Sequence, residues 1–216
     1  MAARPSGSRI KRGSKGLMDK ELQRIVENWG QGDHVCLVYR TLKEQLSVVV
    51  PYLMEGLRRG EACLYIVDDQ PAQQIVAALN AAGVDTVHAH QRGALEFMNK
   101  RESYLNRGRF SPTRMLQFLK NFSDRKKAEG FKGLRGTGEM TWALGPELGC
   151  HRLFEYESWL EKIMPSSDAL CLCQFNRRRF SKDCMPEILR THRRRIMDVR
   201  KELPLQGCID VSSATM

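Results

Sequence analysis

The sequence predicts an α/β fold: a single three-layer domain whose mostly parallel central sheet is flanked by helices. Short apolar runs rich in β-branched residues, such as His34-Val35-Cys36-Leu37-Val38-Tyr39, alternate along the chain with stretches of helical periodicity. Strands separated by helices pair in parallel through right-handed crossovers, and a sheet buried on both faces reads as continuous apolar runs. A length of 216 residues suits one sizeable domain with tails.

Residues 1–16 are rich in Pro, Gly, Ser and basic side chains and cannot bury enough apolar surface to offset their ordering entropy, so a disordered basic tail is expected there. The domain is expected over 17–200, with a second tail over 201–216. Leu17 to Trp29 predicts a helix with Leu22, Ile25, Val26 and Trp29 on one side, followed by the first strand at His34 to Tyr39. Leu42, Leu46, Val49, Val50, Leu53 and Leu57 recur at helical spacing, with Pro51 as a bend, and Ala62 to Asp68 makes the second strand. Pro71 opens a helix to about Ala82, Val84 to Ala89 is a third strand candidate, and Leu95 to Met98 a smaller one.

The loop that follows carries Tyr104, Arg107, Arg109 and Phe110, a polar connection with aromatics suited to a lid or rim. Ser111 caps a helix stripe of Met115, Leu116, Leu119 and Phe122 that Gly130 ends. Leu148 to Ile163 predicts another helix and Asp168 to Phe175 another buried strand. The last helix, Met185 to His192, is expected to run into Arg193, Arg194 and Arg195, cations that suit a helix C-terminus.

Charge is unevenly spread. The formal net charge is +10, yet residues 17–176 balance at twenty basic against twenty acidic, and the excess lies in residues 1–16 and 177–201. Basic ends suit phosphate or acidic partners, or remain solvated. No apolar run reaches the length of a membrane span and the N-terminal stretch lacks the apolar core of a secretory signal, so a cytoplasmic protein with no membrane partner is expected. Seven irregularly spaced cysteines fit a reducing compartment.

The turn after the first strand reads Tyr39-Arg40-Thr41-Leu42-Lys43, with none of the glycines or the Gly-Lys-Ser/Thr triplet that cradle a triphosphate, which argues against ATP hydrolysis. Cys171 and Cys173 share one face of a strand but have no Cys-x-x-Cys partner, and the five histidines are scattered, so no metal site is assigned. The most suggestive stretch is Gly130 to Gly145, where Arg135, Gly136, Thr137 and Gly138 lead into Glu139 and Trp142. Glycines admit a close neighbour, and a carboxylate and an indole at a strand end suit a pocket wall. The same residues also fit an ordinary strand end with a surface Glu and a core Trp. Arg135 and Glu139 are candidates to pair with each other, and Glu157 is either a site residue or a surface helix residue.

Taken together, several segments carry a resemblance to a known family. Over about residues 31–195 the chain resembles the MEDS domain, the methanogen/methylotroph and dichloromethane-regulator sensory family. The resemblance rests on His34 to Tyr39, Gly56-Leu57, Glu61 to Leu64, Gly108-Arg109-Phe110, Leu134 to Trp142, Tyr156-Glu157, Cys173-Gln174-Phe175 and Leu189-Arg190-Thr191-His192. One departure is Arg193, where the family usually has proline after the histidine. The resemblance implies a RecA-like fold without a phosphate-binding loop, and a non-catalytic signal-input role toward a small organic molecule such as a simple hydrocarbon derivative. It implies a separate signalling partner, such as a histidine kinase or a transcription regulator, and a homodimer is compatible with it. Glu139 and Trp142 are the expected ligand-binding centre, with Arg135, Tyr156, Glu157, Tyr39, Tyr104 and His192 around them; no cofactor is assigned. Two alternatives stand beside this reading, a nucleic-acid-associated protein using its basic ends and a nucleotide-dependent enzyme.

Overall fold

The computed structural model describes residues 20–197. The expected tails, 1–16 and 201–216, lie outside the described residues. In chain order the elements are α1 (Lys20–Glu27), β1 (His34–Tyr39), α2 (Leu42–Arg59), β2 (Ala62–Val67), α3 (Ala72–Ala81), α4 (Thr86–Gln91) and β3 (Leu95–Asn99). They continue with α5 (Pro112–Ala128), β4 (Leu134–Glu139), α6 (Leu153–Ile163), β5 (Ala169–Asn176), α7 (Met185–Arg190) and β6 (Arg194–Met197). The six strands form one sheet in the order β3-β2-β4-β5-β1-β6, and every neighbouring pair is parallel.

The near-unbroken apolar strands are explained by burial on both faces. Alternate residues of β1 and β5, such as Val35, Leu37, Leu170 and Leu172, pack with α1, α2 and α3 on one side. The intervening Cys36, Val38, Cys171, Cys173 and Phe175 pack with α5 and α6 on the other. Helix α2 is capped by Thr41, whose side chain accepts a hydrogen bond from the Glu44 amide, so an ordinary cap stands where a phosphate loop would begin. Ser111 caps α5 through the Arg114 amide, as the sequence predicts.

Three expected elements differ. Val84 to Ala89 is not a strand: Asp85 accepts from the His88 amide and caps α4, and that local bond outweighs the short apolar run. The third strand is instead Leu95–Asn99, which lies at the sheet edge beside β2. The last helix ends at Arg190 rather than continuing through the arginines; Arg194 and Arg195 enter β6 and pair with Val35 and Cys36 of β1. The helix expected from Leu148 begins at Leu153, after a short 3-10 turn at Cys150–Arg152.

Candidate functional site

The side chains of β4 divide its surroundings between the two faces. Arg135, Thr137 and Glu139 point toward α2, whereas Gly136 and Gly138 face α5 and α6. The expected pair between Arg135 and Glu139 does not form. Arg135 Nε instead lies 2.5 Å from Glu61 Oε2, and its guanidinium stacks over Tyr52 at 4.9 Å. Both Arg135 terminal nitrogens are buried without a hydrogen-bond partner among the described residues.

Glu139 is fully buried at the C-terminal end of β4. Tyr65 donates to its Oε1 at 2.7 Å and Gln45 at 3.2 Å, while the backbone amides of Asp68, Asp69 and Gln70 all point to its Oε2. One carboxylate thereby fixes the loop leaving β2. Burial raises its pKa, against the Tyr65 hydroxyl and the three amides, which favour the anion. Gln174 continues the network, accepting from Gln45 at 2.7 Å and donating to Thr137 at 2.7 Å. Tyr39 ends β1 nearby; burial, then the Glu139 and Asp69 carboxylates, hold its phenol protonated.

Trp142 lies on the other face, so the structure does not bring it and Glu139 into one pocket. It follows β4 in a short 3-10 turn and is buried against Tyr104, with ring centroids 4.7 Å apart and planes 18° from parallel. Phe110 touches both Trp142, at 4.3 Å, and Tyr156, at 5.6 Å. The loop expected as a rim is thus folded inward, and its Tyr104 and Phe110 form an aromatic wall with Trp142 and Tyr156.

Beneath this wall is a cavity of about 20 Å³, bounded by Gly136 and Gly138 below and by Tyr104, Tyr156, Leu119 and Cys173 around it. That is room for one water-sized group. A Cβ on Gly138 would collide with the Tyr104 hydroxyl, whereas one on Gly136 would meet only Cys171 Sγ, at 3.8 Å. A separate cleft of about 340 Å³, lined by Arg40, Arg177, Arg178, Phe180, Lys182 and Met185, lies at the ends of β1 and β5.

At the opposite end of these strands, Glu157 and His192 meet, together with two residues not expected as site residues, His34 and Cys173. His34 Nε2 and His192 Nε2 approach the same Glu157 Oε2 at 3.1 and 3.2 Å. His34 Nε2 is also 3.4 Å from Cys173 Sγ. All four side chains are buried and their donor atoms lie within 4.8 Å of one another. Burial opposes ionisation of Glu157, but His192 and His34 outweigh it and hold the carboxyl at about 2. Burial likewise disfavours charge on His34, yet Glu157 and Glu161 raise its pKa. The histidines are scattered only in sequence; parallel pairing sets β1 beside β5 and α6 crosses over both. The one sequence signal was the shared face of Cys171 and Cys173, and no spacing rule links it to His34.

An all-parallel sheet in this strand order, with an occupied cap in place of a phosphate loop, defines a RecA-like α/β domain. Solved structures of that shape include the flagellar accessory protein FlaH of Methanocaldococcus jannaschii, with a TM-score of 0.58, 11% identity, and coverage of 83% of this chain and 76% of that one. A KaiC-like protein of Pyrococcus horikoshii OT3 gives 0.51 at 16% identity, covering 76% and 69%. At such identities the likeness shows the fold alone. The profile of MEDS, the methanogen/methylotroph, DcmR sensory domain, matches residues 33–193, and the chain belongs to this family. It is 28% identical over 181 residues to the transcriptional repressor DcmR of Methylorubrum extorquens strain DM4, covering 82% of this chain and 62% of the repressor. The chain thus spans less than two thirds of that relative's length.

Proposed function

We propose that this chain is the signal-input part of a regulatory system in the cytoplasm, which binds a small organic molecule without turning it over and acts on a separate signalling protein, such as a transcription regulator or histidine kinase. The similarity to DcmR supports the regulatory side of this reading. The observation that carries the ligand side is the apolar cavity between the glycine floor of β4 and the Tyr104 and Tyr156 rings. At about 20 Å³ it holds one water-sized group, so a guest of several heavy atoms has to displace a ring of the wall. Tyr104 is the ring suited to move, because it sits on a connection rather than on a helix or strand. Arg107, three residues on, holds a left-handed backbone, with φ of 63°. Entry of a ligand would therefore be reported on the surface as a shift of the segment between β3 and α5.

Trp142 backs Tyr104 and supports this wall, whereas Glu139, Tyr39 and Arg135 shape the opposite face and the loop after β2. The test is thermal shift of the full chain against halomethanes, short alcohols and methylated amines, repeated with Gly136→Ala. A methyl group at 136 enters the cavity without a clash, so the variant should fold and lose the ligand-induced shift. Equal shifts in both proteins would remove the cavity from consideration.

A further inference from the structure

We propose that His34, Glu157, Cys173 and His192 form a four-ligand site for a zinc-class divalent cation, fastening β1, α6, β5 and the segment entering β6. The first ground is the spacing of the donor atoms. With metal–ligand bonds of about 2.0–2.3 Å, neighbouring ligand atoms of a tetrahedral site lie roughly 3.3–3.7 Å apart. Here three edges measure 3.1, 3.2 and 3.4 Å: His34 Nε2 to Glu157, His192 Nε2 to Glu157, and His34 Nε2 to Cys173 Sγ.

The second ground is orientation. His192 Nδ1 lies 2.8 Å from the Ile188 carbonyl oxygen, which can only accept, so Nδ1 carries a proton. His34 Nδ1 lies 2.9 Å from Glu161 Oε2, again an acceptor. In the neutral rings both Nε2 lone pairs then face the cluster centre, toward a carboxylate and a sulfur that are themselves donors of electron pairs. Fixing the outer nitrogen on a carbonyl or carboxylate is how proteins orient metal-binding imidazoles. Arg193 Nε lies 3.0 Å from Glu161 Oε1, so Arg193 holds the carboxylate that in turn holds His34.

The third ground is what the four groups fail to do for each other. Among the described residues neither Glu157 oxygen nor His192 Nε2 makes an aligned hydrogen bond, despite ion-pair distances, and all three atoms are buried. Buried polar atoms left this way are costly. A cation at their centre would engage all of them at once. Its nature follows from the donors: one thiolate and two imidazoles with a carboxylate suit a borderline-soft ion, and their two negative charges balance a divalent one.

The test uses the full chain and metal alone, so it reads independently of whether the cavity takes an organic guest. Protein stripped by a chelator is titrated with Co²⁺, then Zn²⁺, while absorbance and melting temperature are followed. One equivalent of Co²⁺ should give intense tetrahedral d–d bands and a thiolate-to-cobalt charge-transfer band, both removed by Zn²⁺, with the melting temperature rising on loading. Cys173→Ser should lose the charge-transfer band and Cys171→Ser should keep it. Absence of stoichiometric Co²⁺ uptake, or of the charge-transfer band in the unmutated protein, would overturn the site whether or not Cys173→Ser folds. So would a band that survives in Cys173→Ser.

Discussion

Gly138 on β4 lies directly under the Tyr104 hydroxyl, so closely that a single added methyl group would collide with it. Two residues along the same face, Gly136 has no such neighbour. Gly138→Ala is therefore expected to destabilise the protein by about 1–3 kcal/mol through overpacking, and Gly136→Ala to be neutral or stabilising. Denaturant unfolding of the two variants compares them; equal losses would mean that the floor is uniformly tight.

The Glu61–Arg135 pair is buried, with both side chains nearly inaccessible to solvent. Removing one partner from such a pair typically costs about 3–5 kcal/mol, because the other charge is left without compensation. Arg135→Met and Glu61→Leu should each be strongly destabilising and the double variant much less so than their sum. A double-mutant cycle by denaturant unfolding measures this, and additive losses would contradict it.

Glu139 has its pKa raised by burial. A carboxyl with a raised folded-state value binds more protons when folded than unfolded, just above its ordinary value of 4.5, so its contribution to stability falls as pH rises through that window. The stability of the unmutated protein relative to Glu139→Gln should decline with increasing pH there and then level off. A difference that instead grows with pH would show that the amides and Tyr65 outweigh burial.

Asp85 turns the run after Gly83 into α4. Asp85→Ala should cost about 1 kcal/mol, as loss of a helix N-cap does, and free the amide of His88 for faster hydrogen exchange. Unchanged exchange at residues 86–91 would assign the helix to its packing beside β3 instead.

Most of the sheet was legible because its strands are buried on both faces, and apolar runs such as His34–Tyr39 have no other simple reading. The edge strand β6 was not: Arg194 and Arg195 are exposed and break the apolar pattern that marked the others. The candidate site was legible only in pieces. Gly136 and Gly138 announced a close approach, and at Gly138 the approach proved to be Tyr104. Glu139 and Trp142 stand three residues apart but a strand alternates its faces, and the chain turns between them. Glu157 and His192 were named separately, and only the neighbouring register of β1 and β5 joins them to His34 and Cys173.

The arginines of β6 also bear on how copies of the molecule meet. Among the described residues β6 has no strand on its outer side; an open strand edge is a template for another strand, and two such edges pairing about a twofold axis would bring Arg194 and Arg195 near their own images. Arg194 is matched by Asp33 at 2.7 Å, so among the described residues of that border it is the exposed Arg195 whose charge such a pairing would set against its own image.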